Sequence, residues 1–529
     1  MPTFTLGGID LAMVVVYAVL IVAIGIYFGR KHEDAEEYFL AGRRMLWPVI
    51  GISLYASNMG STALVGLTGD AYSTGISVFN YEWMAAVVLV VFAIFFAPFY
   101  IKTGVYTMPE FLERRYDGRS RYYFSGLTLF GNIVIDTAGH LYAGGLVLKL
   151  IFPDVPLAET IAILAVLAGI YTILGGLAAV MITDVIQTGL LLLGTVIVAT
   201  VAFLKVGSWE AVTAVTPPEM LSLVRPMDDP AVPWLGLITG VPLLGFYFWG
   251  TNQFMVQRTL AAKNVHHARW GALLAAALKL PVIFLMVLPG TMARVLYPDL
   301  PNPDMVYPTM MFDMLPVGLR GLILTGLVAA LMSSIDSTLN SASTLVTMDF
   351  VRKWKPQLDQ RQLMRVGRVA TAVFMVLAAL WAPQIVHFGS LFKYLQSVLA
   401  YISPPIVAVF LLGVFWRRTT ANGAFFALIT GLVVSVTLFV ANITGAAWMP
   451  DIHFLLVAPI LFVFSLVAAV GVSLAGAPPA AEKVADTTWT PAFFRRESEE
   501  LREMAWWKNY RIQSVALLAA TAVVVLMFW

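Results

Sequence analysis

Five ionisable residues lie inside long apolar runs of the sequence: Glu82, Asp136, Asp184, Lys279 and Asp336. A charge at the centre of a membrane-crossing helix costs about 2.5–3.5 kcal/mol on insertion scales, so each needs a partner or a task. Asp336 is embedded in Ala330-Leu-Met-Ser333-Ser334-Ile-Asp336-Ser337-Thr338. Residues three and four apart share a helix face, which puts Ser333, Asp336 and Ser337 on one side with Ser334 beside Ser337. Hard cations take hydroxyl, carbonyl and carboxylate oxygens, and this stretch supplies them without a histidine or a thiol. The other reading of the same residues is serines that bond back to carbonyls one turn earlier.

Asn58, Glu82, Lys279 and Gln396 form a second group. At about 1.5 Å of rise per residue, Glu82, Lys279 and Gln396 fall on the order of 10–20 Å below the outer surface, with Asn58 near the middle of its span. One acid, one base and two amides donate and accept hydrogen bonds in both senses. That suits a hydroxyl-rich neutral solute better than a strong anion or cation. The alternative is a structural Glu82–Lys279 ion pair. The same arithmetic puts Asp184 roughly 10 Å from the cytoplasmic start of its span, and Asp336 and Ser337 roughly 20 Å from the end of theirs, which lets them approach. Asp70, Asp349 and Lys393 sit near span ends, within reach of water.

The elements that must hold these residues are membrane-spanning helices. Hydrophobic residues make up 59% of the 529 and charged residues only 12%, where soluble domains carry about 25% charged. Apolar runs of roughly 20 residues, each long enough for a hydrocarbon core of about 30 Å, recur from end to end. Fourteen spans are expected, from 9–29 to 509–528, including 157–175 and 178–206 as separate crossings. The first, Ile9 to Phe28, has neither a basic leader nor an A-x-A site and reads as a true span. In this scheme 26 of the 33 basic residues, among them Arg30, Lys31, Arg258 and Lys263, fall on alternate loops. The positive-inside bias assigns those loops to the cytoplasm, so both termini face outward. The absence of cysteine excludes disulfides and thiolate sites. The six scattered histidines argue against a metal cluster. No Gly-Lys dipeptide is present, hence no Walker A loop, and no basic patch points to nucleic acid.

Two spans carry interruptions. Span 46–73 has Ala56-Ser-Asn58-Met-Gly60-Ser-Thr62 at its centre, and span 233–256 has Gly245-Phe-Tyr-Phe-Trp249-Gly250-Thr-Asn252. Small polar residues compete with the helix for backbone hydrogen bonds, and transporters bind solute where helices break near the midplane. The two spans are five apart, which suggests inverted halves at 46–206 and 233–415, after a leading segment 1–45 and before trailing helices 416–529. Packing through small residues is the competing reading. The polar segment 476–508 falls in the cytoplasm, and 493–506 within it reads as an amphipathic interfacial helix. The fold class is an all-α polytopic membrane protein in a lipid bilayer, with a 5+5 inverted-repeat core and broken helices at its binding site.

Several longer strings carry a family likeness: Tyr38-Phe-Leu-Ala-Gly42, Ala56-Ser-Asn-Met-Gly-Ser61, Tyr81-Glu-Trp-Met84, Gly104-Val-Tyr-Thr-Met-Pro-Glu-Phe-Leu112, Thr183-Asp-Val-Ile-Gln187, Gln257-Arg-Thr-Leu-Ala-Ala-Lys263, Ser333-Ser-Ile-Asp-Ser-Thr338, Tyr401-Ile-Ser-Pro-Pro405 and Phe415-Trp-Arg-Arg418. Through them the chain resembles the sodium/glucose cotransporters of the solute:sodium symporter family, from about Glu37 to Arg418. The resemblance implies a sodium site made by the carbonyls of Ala56, Met59 and Ala330 and the hydroxyls of Ser333 and Ser334. It implies a second sodium at Asp184 in some members; here Asp336 stands at the family's hydroxyl position, followed by Ser337. It assigns sugar contact to Asn58, Glu82, Lys279, Gln396 and Trp249, with Phe248 where the family has an inner-gate tyrosine. Ala63 and Gly245 replace polar residues, so the pocket looks sugar-like but less polar. The function implied is uptake of a small polar solute, a monosaccharide first, driven by sodium across a plasma or bacterial inner membrane. Inositol, sialic acid or an amino acid are the alternative cargoes, and a sensor or channel the alternative class. No enzymatic chemistry is expected.

Overall fold

The computed structural model describes residues 6–29, 35–388, 391–446, 450 and 452–529; Arg30 and Lys31 of the first basic loop lie outside them. Among the described residues the chain is helical, with isolated bridges and no strand. α1 (Gly8–Gly29) precedes the core. α2 (Trp47–Asn58) and α3 (Ser61–Thr74) are the halves of the interrupted second span. Between them Met59 (φ −85°, ψ 46°) and Gly60 (φ −77°, ψ −168°) leave the helical region. α4 (Phe79–Phe95) carries Glu82 in its first turn. α5 (Gly118–Gly131) widens into a π-helical turn at Asn132–Thr137 before α6 (Ala138–Ile151).

α7 (Leu157–Val206) is one helical run of 50 residues. The separate spans expected at 157–175 and 178–206 therefore have no loop between them, because the backbone stays helical through 176 and 177. At 1.5 Å per residue the run is about 75 Å long, more than twice a hydrocarbon core. α8 (Trp234–Phe246) passes through a π-turn at Tyr247–Thr251 and stops at Asn252 (φ −65°, ψ 129°), whose side chain caps α9 (Gln253–Leu260). Both expected interruptions are thus real breaks. α10 (Val265–Lys279) ends two residues ahead of Pro281, which has no N–H to give the Ala277 carbonyl; the Leu280 amide bonds that carbonyl at 3.3 Å instead. α11 (Leu319–Leu345), α12 (Gln360–Trp381), α13 (Leu391–Phe415), α14 (Ala421–Thr444), α15 (Phe454–Ala475), α16 (Pro491–Arg502) and α17 (Tyr510–Met527) follow.

Ten helical runs among the described residues are long and apolar enough to cross a membrane. Length alone does not give the expected fourteen, because a broken span counts as fragments: α2 and α3 have 12 and 14 residues. α11 is buried on nearly all sides, packed against α7, α1 and α2. Small residues bring backbones together, as membrane packing requires: a Cβ on Gly51 would meet the Gly271 carbonyl oxygen at 2.8 Å, which locks α2 onto α10. α11 has only Gly318 at its N-cap. Asp10 of α1 caps it instead, its Oδ1 accepting from the Gly318 and Gly321 amides at 2.7 and 2.8 Å.

α16 is amphipathic, as expected, but it is docked on protein. Glu497 is buried on it and accepts from Arg269, from Arg511 at 2.6 Å and from the Tyr510 hydroxyl at 2.6 Å. An unpaired carboxylate would hold such a helix at the water interface; pairing with two guanidinium groups permits the burial.

Candidate functional site

One cavity in the core collects Asn58, Glu82, Phe248, Trp249, Lys279 and Gln396. It measures about 110 Å³; a single water needs roughly 10–15 Å³, so a small solute fits. Four of these six are placed by an irregularity in their helix, while Glu82 and Gln396 lie on regular turns of α4 and α13. Asn58 is the last residue of α2 before the break. Phe248 and Trp249 sit on the π-turn that precedes Asn252, and Lys279 ends α10. Such wide turns expose side chains that a regular helix would pack away, and they recur at functional sites.

Lys279 is fully buried and donates to Glu82 Oε2 at 2.7 Å and to the Asn58 side-chain oxygen. Its ammonium lies 5.3 Å from the Trp249 ring centre and 5.8 Å from that of Tyr55. The Glu82–Lys279 ion pair offered as an alternative reading therefore exists, inside the cavity wall. Gln396 lines the same wall and forms no hydrogen bond among the described residues, which leaves its donors and acceptor turned to the cavity.

The candidate sodium ligands gather where α11 meets the α2–α3 break. A Cβ on Gly60 would lie 2.9 Å from the Ser334 Cβ, so only glycine allows this approach. Ala63 N, the helical partner of the Met59 carbonyl, bonds Gly60 instead at 3.1 Å and releases that carbonyl. The Ala56 carbonyl faces the break by the same arithmetic, since its helical partner is Gly60. The Ser334 hydroxyl donates to the Ala330 carbonyl at 3.0 Å, which puts two candidate ligands side by side. It is also the back-bonding that the sequence left open.

Ser333 turns elsewhere. Its hydroxyl donates to Asp184, as does that of Ser53. Arg258 completes this cluster, 3.4 Å from Asp184 Oδ2 and 2.8 Å from Ser53 Oγ, and donates to Ser337. Ser57 and Ser337 are 3.2 Å apart. Asp336 is fully buried on α11, within electrostatic reach of Arg258 and Tyr17. This corrects the placement of Arg258 in a loop. It is 1% exposed on α9, because the chain turns inward at Asn252 and lays α9 against α2 and α11. The candidate second-sodium residues Asp184 and Ser337 are both bound to a guanidinium here, so no second cation fits at Asp184 unless Arg258 moves.

Asp349 is likewise not at the water's edge. It is fully buried and accepts from Thr107 at 2.7 Å, Ser125 at 2.6 Å and Arg121 at 2.6 Å. Tyr81, Asp136, His140 and Phe392 are among the further cavity residues that had no contact assigned from the sequence. For Asp136 the signal was present, a charge inside a span. For the others nothing local distinguished them from core residues.

The profile of the sodium:solute symporter family matches residues 38–431. The chain is 36% identical over 550 residues to sodium/glucose cotransporter 4 of Danio rerio, covering 94% of this chain and 84% of that one. It is 36% identical over 554 residues to sodium/myo-inositol cotransporter 2 of Sus scrofa, covering 95% and 81%. Among solved structures it is similar to a Na+-coupled sialic acid symporter in a substrate-bound outward-open state, with a TM-score of 0.77 and 25% identity over 89% of this chain and 99% of that one. A nucleobase-cation-symport-1 family transporter shares the fold, with a TM-score of 0.51 and 16% identity over 87% of this chain and 98% of that one. With these matches spanning the broken helices, the cavity and the serine-rich helix alike, the chain belongs to the sodium:solute symporter family.

Proposed function

We propose that the protein uses sodium moving inward down its gradient to drive uptake of a small hydroxyl-rich solute of monosaccharide size, by alternating access. Membership of the sodium:solute symporter family gives the ion and the class of transport. Relatives named as sodium/glucose and sodium/myo-inositol cotransporters support a polyhydroxylated cargo. The observation that carries the reading is the convergence of Asn58, Glu82, Phe248, Trp249, Lys279 and Gln396 on one cavity. In this reading those six contact the solute, while Ala56, Met59, Ala330 and Ser334 bind sodium and tie the α2–α3 break to α11, with Ser333 joining them in a state where its hydroxyl has left Asp184. Sodium then favours the state in which the break and α11 are together, and that difference in affinity is what couples ion to solute. Asp184, Asp336 and Ser337 hold a second sodium only in a state where Arg258 has withdrawn. The halves 46–206 and 233–415, the fourteen spans and the outward-facing termini belong to the same proposal.

The test is radiolabelled uptake into proteoliposomes with and without an inward sodium gradient, across hexoses, inositol, sialic acid and proline. Gradient-driven accumulation of a hexose or inositol is expected. Accumulation of proline alone removes the pocket assignment, and no sodium dependence for any solute removes the symporter. Ser334→Ala is expected to abolish the sodium stimulation; normal stimulation in that variant removes the sodium-site assignment.

A further inference from the structure

We infer that the solute carries a protonated amine beside its hydroxyls, as an amino sugar or aminocyclitol does, and that Asp136 is its counter-charge; this rests on the transport reading above. The inference begins with the charges of the cavity wall. Three of its lining side chains carry a carboxyl or an amine: Glu82, Lys279 and Asp136, with no other lysine and no arginine. Lys279 is already committed, 2.7 Å from Glu82 and bonded to Asn58. The four-residue group read from the sequence is therefore balanced within itself, and the Asp136 carboxyl has no cation of its own among the described lining residues.

Asp136 has no hydrogen bond or ion pair among the described residues, with His140 or any other. It sits on the π-turn Asn132–Thr137, and the wide turn presents Ile135 and Asp136 to the cavity together with His140 four residues on. A carboxylate inside a span needs a partner, and no described residue of a neighbouring helix supplies one. The solute is what remains. A neutral hexose offers hydroxyl donors but no charge. An ammonium offers three N–H donors and the missing positive charge.

The rest of the wall suits the same chemistry. Tyr81, Phe248, Trp249 and Phe392 line it, and aromatic faces attract cations. The Lys279 ammonium over Trp249 demonstrates that geometry within this cavity. Gln396, with its amide unspent, is left to recognise hydroxyls. The site thus divides into a hydroxyl-reading half at Gln396 and Asn58 and an amine-reading half at Asp136.

The experiment is sodium-gradient-driven uptake of labelled D-glucosamine, D-glucose and N-acetyl-D-glucosamine into proteoliposomes containing the full chain. The third keeps the nitrogen and loses the charge. Glucosamine is expected to half-saturate at about tenfold lower concentration than either neutral sugar. In Asp136→Asn the ratio of the glucosamine and glucose constants is expected to fall to about one. Equal constants for the three sugars in the unmodified protein overturn the inference, and so does a preference that survives in Asp136→Asn. The comparison with N-acetylglucosamine decides the matter even where the variant does not fold. Sodium-driven glucose uptake without amine preference overturns only the amine inference, whereas absence of sodium-driven uptake across the whole solute panel overturns the transport reading beneath it.

Discussion

Glu82–Lys279 and Asp184–Arg258 are both carboxylate–cation pairs buried among spanning helices, and their surroundings differ. The first borders a cavity with aromatic walls, beside the unspent amide of Gln396 and the carboxylate of Asp136. The second is closed: Ser53, Ser333 and Ser337 take up the hydrogen-bonding capacity of its two partners. Burial and pairing alone do not separate a binding site from a scaffold. Unspent hydrogen-bonding capacity facing a cavity does, because a polar group left without a partner inside the protein is costly unless a ligand will satisfy it.

The strongest way to break this contrast is Arg258→Ala. Removing one partner of a buried pair leaves the other charge uncompensated and costs about 3–5 kcal/mol. The expected result is a large fall in the denaturation midpoint of the purified protein. An unchanged midpoint would mean the closed cluster is not scaffold. Lys279→Ala sharpens the other side. Losing charge-assisted hydrogen bonds of roughly 1.5–3 kcal/mol should weaken solute affinity about tenfold to a hundredfold, with a smaller change in sodium half-saturation. Equal shifts in both constants would remove Lys279 from the solute contacts.

Asp10→Ala tests a smaller contribution to the closed region, since α1 backs the helix that carries Ser333. Loss of a helix cap costs about 1 kcal/mol. Faster amide exchange confined to the first turn of α11 is the expected signature, and exchange unaltered there would show that Asp10 does not cap it.

The smallest effect is with pH, at α16. Burial raises the Glu497 carboxyl, but Arg269, Tyr510 and Arg511 more than offset this and hold it below the usual carboxylate range. Its stabilisation is complete above that range and is lost as the pH falls through the lowered value. Asp304, in the connection between α10 and α11, has the opposite sign: burial pushes it up to about 6, against a weaker pull from the Leu391 amide. Its neutral form is favoured in the folded protein, so docking of that loop weakens as the pH rises through about 6. Limited proteolysis across pH should therefore open 491–502 in acid and the loop around Asp304 as the pH rises through about 6. The same trend at both would contradict these assignments.

Much of the binding region was legible because its signals are local. Small polar residues inside apolar runs marked the breaks at Met59–Gly60 and Asn252, where side chains compete for backbone hydrogen bonds. Charges inside spans marked Glu82, Lys279, Asp184 and Asp136. Arg258 was misread because Gln257-Arg-Thr adjoins a polar loop, and nothing local shows that α9 turns its arginine inward. Asp349 was misread for the same reason: its burial depends on Arg121, Thr107 and Ser125, all more than 200 residues away.

By itself the sequence determined an all-helical membrane protein, its two broken spans and the residue types at its cavity, because hydropathy and helix-breaking act within a turn or two of chain. Only the tertiary structure decided which cation meets which carboxylate. Lys279 reaches Glu82 across 197 residues and Arg258 reaches Asp184 across 74. Such distant pairings are set by how α4, α7, α9 and α10 pack, and that packing also left Asp136 facing the cavity without a hydrogen-bond partner among the described residues.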